Sequence, residues 1–265
     1  MKIENQITIN KYLFNLNVIL VSQMIAIKLG GSFITDKSNY RTFKKDETEK
    51  ALREIIKLGK PFVLVHGAGS FGHILCKQSG FPGKYKGKEA QLSRVKYDTS
   101  TLNSMITEIL LDLGMAPMSF SPFYLRRKDT FDYSSVLRSV EAGFLPVMHG
   151  DIYIDGNDVK IYSGDSIMFD ICNLLNPTDA IFMGDVDGIF DKDPKIYPES
   201  KLLRTVKTQQ DFNTILNDVT GGMGGKYIAM KKIASLGIRT SMINGLHPER
   251  LSDLHNDNFY GSVIE

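Results

Sequence analysis

The chain has 265 residues, an apolar share of 42%, and 32 basic against 30 acidic side chains for a net charge of +2. That length allows one large α/β domain or two small ones, and the charge balance gives no general nucleic-acid-binding surface. Two cysteines, Cys76 and Cys172, stand in apolar helical patterns; they exclude a disulfide scaffold or a zinc centre and fit buried thiols in a reducing cytoplasm.

Residues 1–23 read as an N-terminal extension. The apolar stretch from Tyr12 to Ile27 is broken by Asn15, Asn17, Ser22 and Gln23. It is too short and too polar for a membrane span, and no small-residue cleavage site follows it. Met24 opens a clean strand over Ile25–Leu29, so the natural start is expected at Met24 and a single domain over 24–265.

From there short apolar runs alternate with helical periods, the pattern of a parallel sheet with helices on its faces. A helix is predicted over Lys44–Leu58, closed by Gly59 as a C′ glycine. A strand follows at Pro61–His66, then a helix over Ser70–Ser79. Gly80–Lys88, with three glycines and a proline, reads as a mobile loop. Further on come a long helix over Leu92–Leu113, a strand at Met115–Phe120, a helix at Tyr133–Ala142 and a strand at Leu145–His149. Asp151–Ile154 and Asp158–Tyr162 flank Asp155-Gly156-Asn157, a hairpin signal. A helix then runs from Ser163-Gly164-Asp165 to Leu175, followed by a strand at Ala180–Met183, a helix at Met223–Leu236 and a strand at Thr240–Ile243.

Two glycine-rich turns each follow an apolar strand: Lys28-Leu29-Gly30-Gly31-Ser32 and His66-Gly67-Ala68-Gly69-Ser70-Phe71-Gly72-His73. A third cluster is Gly221-Gly222-Met223-Gly224-Gly225-Lys226. Glycine lets backbone N–H groups approach and face an anion. Three such turns with adjacent lysines point to a site for several phosphates, and hence to phosphoryl transfer between two bound anions. Gly67–Gly72 fits the dinucleotide pattern G-x-G-x-x-G, but the acidic residue that would hold a ribose is missing. Neither Gly31–Ser38 nor Gly221–Lys226 completes a P-loop.

Lys28 is the fourth residue of an otherwise apolar strand. A charge there needs a partner, and a phosphate is the expected one. Lys226 stands at a helix N-terminus, where the dipole also favours anions. His73 is either a polar helix-start residue or a ligand, and His66 reads as structural. Asp165 is either a first-turn acid or an acid that orients two lysines. Asp185, Asp187, Asp191 and Asp193 lack the EF-hand spacing and read as a turn beside a nucleotide.

In order along the chain, these segments, together with His149-Gly150-Asp151, Tyr162-Ser163-Gly164-Asp165, Gly184-Asp185-Val186-Asp187-Gly188, Asp218-Val219-Thr220-Gly221-Gly222-Met223 and Ile243–Arg250, resemble the amino-acid kinase superfamily. Within it they resemble the branch whose acceptor is isopentenyl phosphate. The resemblance runs from Met24 to Ile264. It implies an α/β fold, an open αβα sandwich with a mainly parallel central sheet, usually as a homodimer. The acceptor would lie over an N-terminal half, about 24–175, and ATP over a C-terminal half, about 176–265. It also implies catalytic roles for Lys28, Lys37, Asp165 and Lys226, with Lys37 stabilising the transition state. Gly67, His73 and Gly150 would bind the acceptor, His73 taking its phosphate. Gly30, Gly31, Ser32, Ala68, Asp185, Asp187, Gly188, Gly222 and Lys226 would bind ATP, with Mg²⁺ carried by the nucleotide and no metal ligand from the protein. Ala68 and Ser166 depart from the family, which more often has glycine and a second acid there. The expected protein is cytoplasmic, with a small-molecule substrate and neither nucleic acid nor membrane as partner. A kinase of a small phosphonate such as fosfomycin, or a non-catalytic anion-binding protein on the same fold, are the rival readings.

Overall fold

The computed structural model describes residues 23–207 and 222–264. The expected extension up to Ser22, and the segment Asp218–Gly221 on which part of the third glycine cluster falls, lie outside the described residues.

The strands are β1 (Ile25–Leu29), β2 (Phe62–His66), β3 (Gly83–Lys84), β4 (Pro117–Phe120), β5 (Arg126–Arg127), β6 (Thr130–Phe131), β7 (Leu145–His149), β8 (Asp151–Asp155), β9 (Asp158–Tyr162), β10 (Asp179–Gly184), β11 (Ile189–Phe190), β12 (Leu202–Leu203), β13 (Thr205–Val206), β14 (Arg239–Asn244) and β15 (Ser262–Ile264). Eight of them form one sheet in the order β13-β15-β14-β10-β1-β2-β7-β4. Pairing is parallel from β14 across to β4, and β15 enters antiparallel to β14. This is the expected mainly parallel α/β sheet. It runs unbroken past Leu175, because β1 lies between β2 and β10.

The helices are α1 (Gly31–Ile34), α2 (Lys45–Lys57), α3 (Gly69–Ser79), α4 (Glu89–Asp112), α5 (Pro122–Leu125), α6 (Ser134–Glu141), α7 (Gly164–Leu175) and α8 (Gly222–Ala234), with a 3₁₀ turn at Pro248–Asp253. They cover both faces of the sheet. The two-residue period of the strands sends Ile25, Ile27 and Leu29 into one core with Leu52, Ile55 and Ile106. It sends Ala26 into the other, with Ile167, Ile171, Phe182 and Met230. That alternation also fixes the side of Lys28: it points to the α7 face, level with Phe182 in the register of β10.

Two expectations are corrected. Gly80–Lys88 is not a free loop: Gly83 and Lys84 pair antiparallel with Val159 and Asp158 as a third strand on the β8–β9 hairpin. Phe81, before a cis Pro82, is buried against Val95 and Ile152. The long helix also begins three residues earlier than read, at Glu89.

Candidate active site

Six strands, β1, β2, β4, β7, β10 and β14, end at one edge of the sheet, where an open α/β sheet binds its ligands. The loops there, with the amino ends of α7 and α8, enclose a cavity of about 790 Å³. The two glycine turns meet inside it. A Cβ on Gly31 would fall 2.6 Å from Gly69 N, and one on Gly67 would fall 2.7 Å from Gly31 N. No real side chain tolerates such distances, so the turns pack backbone against backbone. Ala68 is accommodated because Gly72 has no Cβ; one there would lie 2.6 Å from the Ala68 methyl.

Lys28 is 5% exposed. Its Nζ donates to Asp165 Oδ1 at 2.5 Å and sits 5.7 Å over the Phe182 ring. The expected partner was a phosphate; the protein itself supplies a carboxylate. Asp165 stands in the first turn of α7, after Ser163 caps the helix by accepting from Ser166 N. Ser166, at the position of the missing second acid, is therefore part of the cap. Gly164 is required here too, since a Cβ would fall 3.1 Å from both His66 O and Lys28 Cε.

Lys226, 8% exposed, lies in the first turns of α8, its Nζ close beside Gly184. Burial is the main force bringing its pKa down to about 8; the Lys28 charge adds to this, and Asp165 and Asp185 oppose it. Across the cavity Ser32 donates to Asp185 Oδ1 at 2.8 Å, and Lys195 is paired with the other oxygen. Burial works to raise Asp185, but these two donors outweigh it and hold its pKa at about 2. Lys37 lines the same cavity from an exposed loop after α1. His73, in α3, also lines the cavity; burial first, then Lys37 and Lys28, lower its pKa.

Sequence reasoning missed the polar hub at the cavity's inner end. Asp151 is fully buried yet accepts from Thr99 Oγ1 at 3.0 Å, Ser121 Oγ at 2.6 Å and Ile152 N at 2.9 Å, and is ion-paired with Lys96. His149 Nε2 lies 3.3 Å away. Burial alone would raise this carboxyl; His149 and Lys96 hold it well below the usual range. His66, stacked on His149 at 5.5 Å, is structural as read: its ring bridges Gly67 O and Asn103 Oδ1, and burial keeps it neutral with a pKa of about 3. Beside the hub the wall turns apolar, with Val95, Ile152, Ile161 and the buried thiol of Cys76. Tyr133 and Tyr162 both donate to Asp170 on α7, which ties the β8–β9 hairpin to the helix that carries Asp165. The sequence signals for these were the segment His149-Gly150-Asp151, in which no role was assigned to the acid, and polarity inside an apolar period, as at Asp98, Thr99 and Asn103 in α4.

The cavity thus gathers Lys28, Gly30, Gly31, Ser32, Lys37, Gly67, Ala68, His73, Gly150, Asp165, Asp185, Gly188 and Lys226. Asp187 is not among them. Its carboxylate is engaged by Arg250 at 2.6 Å and Asn244 at 3.2 Å. Gly222 opens α8, while the glycines of that cluster on the cavity wall are Gly224 and Gly225. Among the described residues no three His, Cys, Asp or Glu side chains cluster as a metal site, and no helix is long and apolar enough to cross a membrane.

Residues 23–244 match the model of the amino acid kinase family. The chain is 42% identical over 244 residues to isopentenyl phosphate kinase of Thermoplasma acidophilum, covering 91% of this chain and 100% of that protein. It is 32% identical to isopentenyl phosphate kinase of Methanothermobacter thermautotrophicus, over 85% of this chain and 92% of that one. The crystal structure of the Thermoplasma acidophilum enzyme in a product complex superposes with a TM-score of 0.84 at 39% identity, covering 92% of this chain and 100% of that one. UMP kinase from Ureaplasma parvum, at 14% identity and a TM-score of 0.66, shares the fold.

Proposed function

The chain belongs to the amino acid kinase family, and from that premise we propose that it moves the γ-phosphoryl group of ATP onto the phosphate of isopentenyl phosphate, giving isopentenyl diphosphate. The observation that carries this reading is that three cations, the buried Lys28 and Lys226 and the exposed Lys37, line one cavity with His73 and an apolar recess.

The acceptor oxygen is already anionic, since a phosphate monoester has its second pKa near about 6, so no general base is needed. The obstacle is repulsion. Two unit charges about 4 Å apart cost about 4 kcal/mol at an effective dielectric of 20. Lys28 and Lys226 would offset this where charge develops; Lys28 is held before substrate arrives by Asp165, and Lys226 is buried at the cavity wall. Preorganisation of this kind accounts for most of the acceleration in phosphoryl transfer. Lys37, on the same cavity, supplies a third cation. The two interlocked glycine turns line the same cavity.

In this reading His73 binds the acceptor's phosphate and Val95, Ile152 and Ile161 take its hydrocarbon tail; all four line the cavity. Both cavity carboxylates near the lysines, Asp165 and Asp185, are already paired with ammonium groups. That donor set suits magnesium carried on the nucleotide's phosphates, where it would neutralise charge on the transferring group. A cytoplasmic setting and a homodimer belong to the same reading; light scattering on the purified protein tests the latter.

The test of the acceptor is ADP release with Mg-ATP and isopentenyl phosphate, beside fosfomycin and a no-acceptor control. Turnover with isopentenyl phosphate and not with fosfomycin is expected. Turnover with fosfomycin alone would transfer the assignment to a phosphonate kinase, and silence with both in a folded, ATP-binding sample would leave a binding protein.

A further inference from the structure

Lys37 sits on the loop Thr35–Phe43, and that loop is clamped to α4 by a buried charge outside the cavity. The loop is closed at its base by a bridge between Thr35 and Phe43, with Asp36 N donating to Thr42 O and Lys44 N to Ile34 O. Beyond the base, Asp36 folds the tip over itself, accepting from Ser38 N and Asn39 Nδ2. The next two residues reach across to α4. Tyr40 OH donates to Asp98 Oδ2, and Arg41 Nε lies 3.4 Å from Asp98 Oδ1. Arg94, one turn earlier on α4, closes the cluster with its Nε 3.0 Å from Asp98 Oδ1.

Asp98 is 0% exposed. A carboxylate buried to that degree depends on its partners: Oδ1 accepts no hydrogen bond and is met only by the two guanidinium charges, and two of the three partners come from the loop. Arg41 also has φ 55°, a left-handed conformation that a non-glycine residue keeps only when its surroundings enforce it. What enforces it here is the ion pair together with stacking of the guanidinium between Phe71 and Tyr97, at 5.7 and 5.6 Å. None of these groups lines the cavity, while Lys37, three residues before Tyr40, does.

We propose that Asp98 is a positioning residue: through Tyr40 and Arg41 it anchors the Thr35–Phe43 loop so that Lys37 is presented to the reacting phosphates. The proposal rests on the reading that Lys37 acts in phosphoryl transfer.

Two measurements on the intact protein test it. The first is independent of activity: trypsin cleavage after Lys37 and Arg41, mapped by mass spectrometry. Asp98→Asn removes the charge that pairs both arginines, and nicking within the loop is expected to rise at least tenfold over the wild type while other sites keep their rates. The second is a double-mutant cycle on kcat. Asp98→Asn is expected to lower kcat about tenfold with the KM for ATP unchanged, and to cost less than twofold in a Lys37→Ala background. Tyr40→Phe removes one of the two loop contacts while leaving Asp98 paired with both arginines and both cleavage sites in place, and carries both measurements, with smaller changes in the same directions, if Asp98→Asn does not fold. Unchanged nicking, or an equal kcat loss in both backgrounds, overturns the proposal. A Lys37→Ala variant with normal kcat instead removes the catalytic reading of Lys37, and the proposal falls with it; nicking distinguishes that failure from a failure of the clamp.

Discussion

Lys28 and Asp165 are joined at 2.5 Å across 137 residues of sequence, a strand residue held by the first turn of a helix. The pair does two things at once. It satisfies a charge inside a parallel sheet, and it fixes an ammonium group at the mouth of the two glycine turns.

Removing either member is therefore expected to act on the rate before it acts on binding. Lys28→Ala should lower kcat by about 10²–10³-fold, the range for losing one preorganised donor to a developing anion. Asp165→Asn should lower it less, because Lys28 keeps its charge and loses its orientation. Steady-state ADP release checks both; near-normal kcat in Lys28→Ala would remove its assigned role.

Lys226 makes activity and stability respond to pH in opposite directions. Its pKa is near 8 in the fold against an ordinary lysine value near 10.4. A reaction that needs the ammonium should lose kcat/KM for ATP about tenfold per unit above pH 8. Lys226→Arg, charged throughout, should abolish that limb while lowering the plateau. Between pH 8 and about 10 the unfolded chain binds more protons than the fold, so this group's contribution to stability rises with pH there. Thermal melts of wild type and Lys226→Met over that interval should converge in favour of the wild type; a constant difference between them would contradict the shifted pKa.

His73 should take up a proton when the acceptor binds. Its pKa is lowered in the free protein by burial and by Lys37 and Lys28, and a bound phosphate supplies the opposite charge. Calorimetry at pH 8 in buffers of different ionisation enthalpy should show proton uptake with isopentenyl phosphate, absent in His73→Ala. That variant should raise the acceptor KM about 10- to 100-fold, the equivalent of the ~1.5–3 kcal/mol carried by a hydrogen bond to a charged group, with the KM for ATP unchanged. A change confined to ATP would refute the placement of the acceptor's phosphate.

Asp151 should be indispensable to the fold. Its loss leaves Lys96, Thr99 and Ser121 without their common acceptor and takes the carboxylate from beside His149. Breaking a buried ion pair from one side costs about 3–5 kcal/mol, so Asp151→Ala should show a denaturation midpoint far below that of the wild type. Because its pKa is depressed in the fold, the stability it provides is present above the unfolded value near about 4 and is lost as pH falls below it. A wild-type melting curve that is flat from pH 5 to pH 2.5 would count against this.

Most of the sheet was legible because period-two burial and terminal glycines act locally. The strands around Lys28, His66 and His149 were visible as short apolar runs, and the close approach of Gly31 and Gly67 as glycine itself. What pattern could not supply was pairing at a distance. Asp165 as the partner of Lys28 depends on two segments that only the fold brings together. So does the docking of Gly83 and Lys84 on β9, where glycine and lysine carry no strand propensity and a neighbouring edge decides the outcome. Asp187 was misplaced for a related reason: a loop acid next to Asp185 looks equivalent in sequence, but its side chain turns to Arg250. The strand β15 is three residues long, below the length at which periodicity can register.

That short strand also sets an order of events. β15 lies between β13 and β14, and β13 meets the sheet through it alone. Residues 205–206 therefore acquire their neighbours only after residues 262–264 have been made, whereas β1 and β2 can pair early. During synthesis the β13–β15 edge is the last part of the sheet to close, as expected for pairings of long sequence separation. Until then β14 presents an open apolar border, the interval in which a nascent chain of this topology is most exposed to mispairing.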